Sequence, residues 1–133
     1  MNEHQKSVAK ACLHAAEESV MTFPEIIAQL MRAGFEGYAI DYRRSTATYY
    51  LASGESIELA THKTGVSVAA AFDAKLLQIA IKEAQMLASG YTYKGFCKKA
   101  ATAGCAGYVV SFSGRRALYV GRTAETHVEH FPS

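Results

Sequence analysis

The sequence contains no tryptophan and only two prolines among its 133 residues. Because proline interrupts helices and central strands, its scarcity leaves room for long regular elements. No apolar run reaches the roughly 18 to 20 residues that a membrane-spanning helix needs. The first residues, MNEHQK, also lack the basic and then apolar pattern of a signal peptide. We therefore expect a cytoplasmic protein without membrane contact.

Cysteine is scarce too, with three residues at positions 12, 97 and 105 and no C-x-x-C pair. An odd number of cysteines without metal-ligand spacing argues against a disulfide framework and a zinc site. We expect reduced thiols packed as small apolar groups, with Cys97 on the buried side of its helix. The sequence also lacks a glycine-rich phosphate loop, an H-E-x-x-H helix and a G-x-S-x-G turn. It therefore predicts no cofactor, no metal and no catalytic residue.

Length and composition are typical of one soluble globular domain. A chain of 133 residues fits a single hydrophobic core. The balance of 50% apolar and 20% charged residues is near the globular average, which excludes disordered and fibrous proteins. We expect residues 1–133 to form a single domain.

An internal repeat is the most informative feature that is present. Shifted by 70 positions, residues 22–61 align with residues 92–131 without a gap. Eight residues of the first copy are identical to the residue 70 positions later: Thr22, Ala33, Gly34, Gly37, Tyr38, Ala47, Tyr49 and Glu55. A period this long, present only twice, does not fit a solenoid, whose units are about 20 to 50 residues long. We interpret it as a duplication within one domain.

Each copy opens with a helix signal. Thr22 and Glu25 have the spacing of a capping box, and Gly34 supplies the left-handed residue that commonly ends a helix. Residues 93–103 repeat the pattern, although Gly95 replaces the capping glutamate. Each copy is therefore predicted to begin with one helix.

Two further helices are predicted outside the repeated units. Residues 3–21 are rich in alanine and carry apolar residues at helical spacing. Residues 73–88 form a connecting helix, with Asp73 as its N-cap and a wide apolar stripe. The prediction is four helices in all.

After each repeated helix the apolar period changes to two, which is typical of half-buried strands. The predicted strands are residues 38–42, 46–51 and 56–60 in the first copy and 108–112, 116–121 and 126–131 in the second. Hairpin turns are expected at residues 43–45 and 113–115, with Gly114 at positive φ. Val66, Val68 and Ala70 suggest a further short strand.

The order of elements predicts an α+β fold in a single domain. Helices and strands are segregated along the chain, as in folds with mainly antiparallel pairing. We expect an internal duplication of one helix plus an antiparallel three-strand unit, with the helices packed on one face of the sheet.

Several short motifs agree in order and spacing with those of a known family. They are TFPE at 22–25, AGFEGYAIDY at 33–42, AIKEAQ at 80–85, AGC at 103–105, GR at 121–122 and HVEHFP at 127–132. In these motifs the chain resembles the bacterial YdfO-like family, domain of unknown function 1398, over residues 20–132. The resemblance implies a small bacterial protein, some relatives being encoded in prophages and labelled phage envelope proteins. It brings no established activity and no catalytic residues.

The C-terminal segment holds the densest group of chemically capable side chains. His127 and Glu129 could act as a general base and its orienting carboxylate, with Arg122 holding an anion. His130 adds a second imidazole, and Tyr119 could stack on a planar ligand. We weigh this ligand site against an exposed polar strand, and we favour the exposed strand.

Two registers of the last strand make different predictions. The gapless repeat places His127 and Glu129 where the first copy has Ile57 and Leu59, on the apolar face of the sheet. A one-residue insertion would instead bury only His130, because a slip of one residue moves every side chain to the other face. We favour the insertion, since it places no charged pair in the core.

Positive charge is concentrated in the second half of the chain. Residues 91–133 carry six basic and two acidic residues, whereas residues 1–90 carry eight basic and ten acidic ones. An arginine pair lies at the first hairpin of each copy: Arg43 with Arg44, and Arg115 with Arg116. Such pairs could hold phosphates, and we expect any phosphate-bearing partner to bind there. The isoelectric point of about 8.4 is low for a nucleic-acid-binding domain, so we favour a solvated surface.

These features favour a non-catalytic module that binds an unknown protein partner or associates with itself. The alternative is a small-molecule-binding protein or enzyme that uses the C-terminal cluster. Nucleic-acid or phosphate binding through the paired arginines is the third hypothesis.

Overall fold

The structure is a computed structural model that describes residues 1–131. Pro132, the last residue of one quoted motif, and Ser133 lie outside the described residues. Four helices and six strands follow one another in the predicted order. The helices are α1 (Glu3–Glu17), α2 (Phe23–Ala33), α3 (Ala74–Gln85) and α4 (Tyr93–Thr102). The strands are β1 (Phe35–Asp41), β2 (Thr46–Leu51), β3 (Ser56–Ala60), β4 (Cys105–Ser111), β5 (Arg116–Gly121) and β6 (Thr126–His130).

The repeated helices begin as their capping residues predict. At the start of α2, Thr22 and Glu25 form a reciprocal capping box, which satisfies N–H groups that have no partner inside the helix. At the start of α4, the Thr92 hydroxyl accepts a hydrogen bond from the Gly95 N–H, without a reciprocal glutamate. Gly34 ends α2 at a φ of 101°. The capping predictions are confirmed.

Both remaining helices end earlier than predicted. Ser19 and Leu87 adopt positive φ angles of 54° and 47°, so the chain leaves α1 and α3 before residues 21 and 88. At each end the next backbone N–H group donates to a carbonyl of the last helical turn, Val20 to Ala15 and Ala88 to Glu83. Periodicity did not reveal these ends because the left-handed residue is not a glycine.

The six strands form one antiparallel sheet in the order β3-β2-β1-β4-β5-β6. The predicted hairpins join β1 to β2 and β4 to β5. The predicted role of Gly114 is wrong, because the left-handed residue of its turn is Arg115, at a φ of 51°. Here the Ser111 hydroxyl accepts from the Gly114 N–H at 2.9 Å and shapes the turn.

The further strand predicted at residues 66–70 is not formed. Its backbone groups bond outside the sheet, since the Ala69 N–H donates to the Ala101 carbonyl at the end of α4. The Val68 carbonyl accepts from the Arg122 guanidinium. Residues 61–73 therefore form an irregular connection from β3 to α3.

The two repeated units meet where β1 pairs with β4. Ala39 lies opposite Val109, its counterpart 70 positions later, and the register is symmetric about this pair. A Cβ atom on Gly37 or Gly107 would lie 2.3 Å from a carbonyl oxygen across the seam. Glycine at both positions therefore allows the strands to approach. The equivalent register supports a duplication, whose evolutionary origin stays a prediction.

All four helices pack on one face of the sheet and share one core. Alternate strand residues such as Tyr38, Tyr49, Tyr108 and Tyr119 are buried against buried helix residues such as Leu30. The α+β prediction is confirmed. None of the helices in residues 1–131 is long and apolar enough to cross a bilayer.

Candidate functional site

The last strand follows the gapless register, so the favoured one-residue insertion is wrong. Tyr119 pairs with His127 and lies on the helix-covered face, which places Glu129 on that face as well. The Tyr119 hydroxyl donates to Glu129 Oε1 at 3.0 Å, and Gln85 Nε2 donates to Glu129 Oε2 at 2.6 Å. Because β6 is an edge strand, Glu129 is only half-buried, and it keeps its hydrogen-bond partners. The free-energy cost of burying its charge, which argued against this register, is therefore small.

The other two members of the predicted C-terminal cluster lie elsewhere. His130 is exposed on the opposite face of the sheet, directly across from Arg116. Arg122 lies in the turn after β5, where its guanidinium donates to the Val68 carbonyl at 3.2 Å. The cluster is therefore split into three places, and Arg122 cannot be assigned to an anion site shared with His127. Residues 1–131 contain no group of three or more His, Cys, Asp or Glu side chains able to hold a metal ion.

The two arginine pairs are also separated. Because β1 and β4 are antiparallel, their hairpins extend from opposite ends of the sheet. Arg44 lies 4.0 Å from Glu58, and Arg116 Nε donates to the Gly114 carbonyl at 3.0 Å. Arg43 instead lines a groove with Arg122. The four arginines thus form no common phosphate-binding surface.

A half-buried polar pair, Glu17 and His62, joins α1 to the connection after β3, and sequence analysis did not identify it. Glu17, at the end of α1, accepts hydrogen bonds from the His62 backbone N–H at 2.7 Å and from His62 Nδ1 at 2.9 Å. The His62 ring packs edge-on against Tyr93, whose hydroxyl lies 2.8 Å from that of Tyr108. Because these residues are distant in sequence, only the fold brings them together.

The Cys97 thiol and the Tyr93 and Tyr108 phenols stay protonated at neutral pH. Burial raises the pKa of the Cys97 thiol to about 11 and the pKa values of Tyr93 and Tyr108 well above the usual phenol value. A thiol becomes a strong nucleophile only as its thiolate. Cys97 is therefore not activated as a nucleophile at neutral pH.

We predict that native Cys97 resists thiol reagents. All three cysteines are free and buried, and Cys97 is only 1% exposed, on the buried side of α4 as expected. A thiol with a pKa of about 11 is roughly one-thousandth thiolate at pH 8. An Ellman assay should show no rapid reaction until urea unfolds the protein, whereas an added Ser53→Cys thiol should react at once. Rapid native labelling of Cys97 would contradict this assignment.

The sheet face away from the helices, which we call the open sheet face, is a broad surface. One row of paired residues crosses all six strands: Glu58, Thr48, Ala39, Val109, Leu118 and Val128. Val109 is 48% and Val128 is 38% exposed. In this row the second repeated unit therefore carries a strip of three neighbouring aliphatic side chains, where the first repeated unit carries alanine, threonine and glutamate.

Sequence analysis missed this strip, although a signal was present. In β5, Leu118 and Val120 alternate with Ala117 and Tyr119, so both faces of the strand are apolar. A strand with one solvated face normally alternates apolar residues on the buried face with polar residues on the solvated face. In β5 the face away from the helices is therefore apolar as well.

Comparison with protein families matches residues 11–129 to the family described as a protein of unknown function, DUF1398. No curated protein matches the chain. The YdfO-like name, the prophage association and the cytoplasmic location stay predictions. Since the match covers most of the sequence, the chain belongs to the DUF1398 family.

Proposed function

We propose that the protein is a non-catalytic interaction module that associates with a second copy of itself through the open sheet face. The observation that carries this proposal is the aliphatic strip of exposed Val109, half-buried Leu118 and exposed Val128, on a face without covering helices in residues 1–131. Clustered exposed aliphatic side chains of this kind mark contact sites in folded proteins.

Charge distribution supports a second copy as the occupant. The β3 edge of the face carries Glu58, with Arg44 4.0 Å from it, whereas the β5–β6 edge carries Arg116 and His130. A twofold axis parallel to the strands places the β3 edge of one copy over the β6 edge of the other. Each Glu58 then lies opposite the edge of the other molecule that carries Arg116 and His130. A perpendicular axis would place Glu58 opposite Glu58, which like charges disfavour.

The size of the face supports a weak dimer. Six strands spaced about 4.8 Å apart, with about five residues each at 3.3 Å, give a footprint of roughly 480 Å². Two such faces bury on the order of 1,000 Å², near the lower limit for specific interfaces. We therefore expect a dissociation constant in the micromolar range.

We predict that Val109→Asp raises the dimer dissociation constant at least about a hundredfold, because it buries an unpaired carboxylate at the centre of the interface. Sedimentation velocity from about 1 to 500 µM measures the effect. Leu76→Asp is the matched control, since Leu76 is 51% exposed on α3 in the helical layer. A wild-type protein that stays monomeric at 500 µM, or equal weakening by both variants, would contradict the proposal.

A charge exchange tests the orientation of the two copies. Glu58→Arg and Arg116→Glu should each weaken the dimer, and the double variant should restore it. Absence of rescue would reject the proposed axis while leaving the result for Val109→Asp intact.

A further inference from the structure

A groove lies at the end of the sheet where β1 turns into β2. Its lining is formed by Tyr42, Arg43, Val66, Ser67, Val68 and Arg122. It is open to solvent and has a volume of about 400 Å³. The irregular segment that replaces the expected strand at residues 66–70 forms one of its walls.

The charge of the groove is unbalanced. Arg43 and Arg122 line it, and none of its lining residues is acidic. Within residues 1–131, neither guanidinium has a carboxylate partner, whereas Arg44 lies 4.0 Å from Glu58. Arg122 uses one N–H group to reach the Val68 carbonyl, which holds its side chain beside the groove. Its remaining N–H groups are available to a ligand.

We propose that this groove binds the phosphate group of a small phosphate-bearing molecule. Two guanidinium groups line the same groove from separate turns, and charge-assisted hydrogen bonds from guanidinium to phosphate oxygens are strong. Ser67 adds a hydroxyl donor at the same wall. The volume of about 400 Å³ lies within the range of small-molecule sites and exceeds what a phosphate ion fills. The site is independent of the open sheet face.

The test is a titration of the ¹⁵N-labelled protein with sodium phosphate and with glycerol 3-phosphate, at constant ionic strength set by sodium chloride. Saturable shifts of the Ser67 and Val68 amide signals and the Arg122 Nε–H signal are expected. Glycerol 3-phosphate should bind more tightly than inorganic phosphate. Arg43→Gln and Arg122→Gln should each raise the dissociation constant at least about tenfold, because each removes a charged donor.

Arg32→Gln on α2 is the charge-matched control and should leave both affinities unchanged, since Arg32 does not line the groove. Absence of saturable shifts at 50 mM ligand, or equal weakening by the control, would overturn the site. Equal affinity for acetate would overturn its preference for phosphate. Tighter binding of a short oligothymidylate, with a steep salt dependence, would assign the groove to nucleic acid instead of a small molecule.

Discussion

Gly104→Ala is expected to destabilise the protein by about 3 to 5 kcal/mol, at the upper end of single-residue effects. Gly104 has a φ of +90°, where an alanine is strained. A Cβ atom there would also lie 2.0 Å from the Ala71 carbonyl oxygen and 2.9 Å from Phe72 Cα. Since both contacts are with backbone, residues 71–72 must move away from the start of β4.

Alanine substitutions at two other glycines separate the effect of the strained φ from the effect of the clash with residues 71–72. Gly54 has a φ of +95° with no atom within 4 Å of the added Cβ, so Gly54→Ala should cost only about 1 to 2 kcal/mol. At Gly34, the counterpart of Gly104, an added Cβ would meet side chains alone, Gln5 at 3.3 Å and Leu51 at 4.0 Å. Urea unfolding followed by circular dichroism measures all three variants. If Gly34→Ala and Gly104→Ala lowered the free energy of unfolding equally, the close packing of Gly104 against residues 71–72 would be contradicted.

Leu77→Ala is expected to cost about 2.7 to 5 kcal/mol, because it leaves a cavity beneath α3. Leu77 is 0% exposed and belongs to the core shared by the helices and the sheet. This core joins the two repeated units, so we expect one cooperative transition and not the independent loss of one half.

Leu76→Ala is the neighbouring control on the same helix. Leu76 is 51% exposed, and its truncation should change the free energy of unfolding by less than about 1 kcal/mol. The same urea experiment compares the two variants. A similar loss for both would mean that α3 presents a different face to the sheet.

The sequence predicted the elements well where local chemistry is decisive. The capping box at Thr22, the glycine after α2 and the two-residue period of the strands each depend on residues close in the chain. The ends of α1 and α3 were missed because Ser19 and Leu87 adopt left-handed conformations through local bonding without a glycine. The strand expected at residues 66–70 was wrong because its backbone groups bond to α4 and Arg122.

The candidate sites depended on long-range geometry. The sequence identified Arg43 and Arg122 as anion-binding candidates, but in different sets, and only the tertiary structure places them on one groove. The Glu17–His62 contact joins residues 45 positions apart, which no local pattern records.

By itself the sequence determined the four helices and the six strands that form, since these follow from spacing and from residue types. The tertiary structure decided which face of β6 meets the helices, because Gln85 and Tyr119 provide the partners that allow Glu129 to turn inward. It also decided that the aliphatic side of β5 faces solvent. Two apolar faces look alike in sequence, and only packing of the helices on one of them leaves the other open.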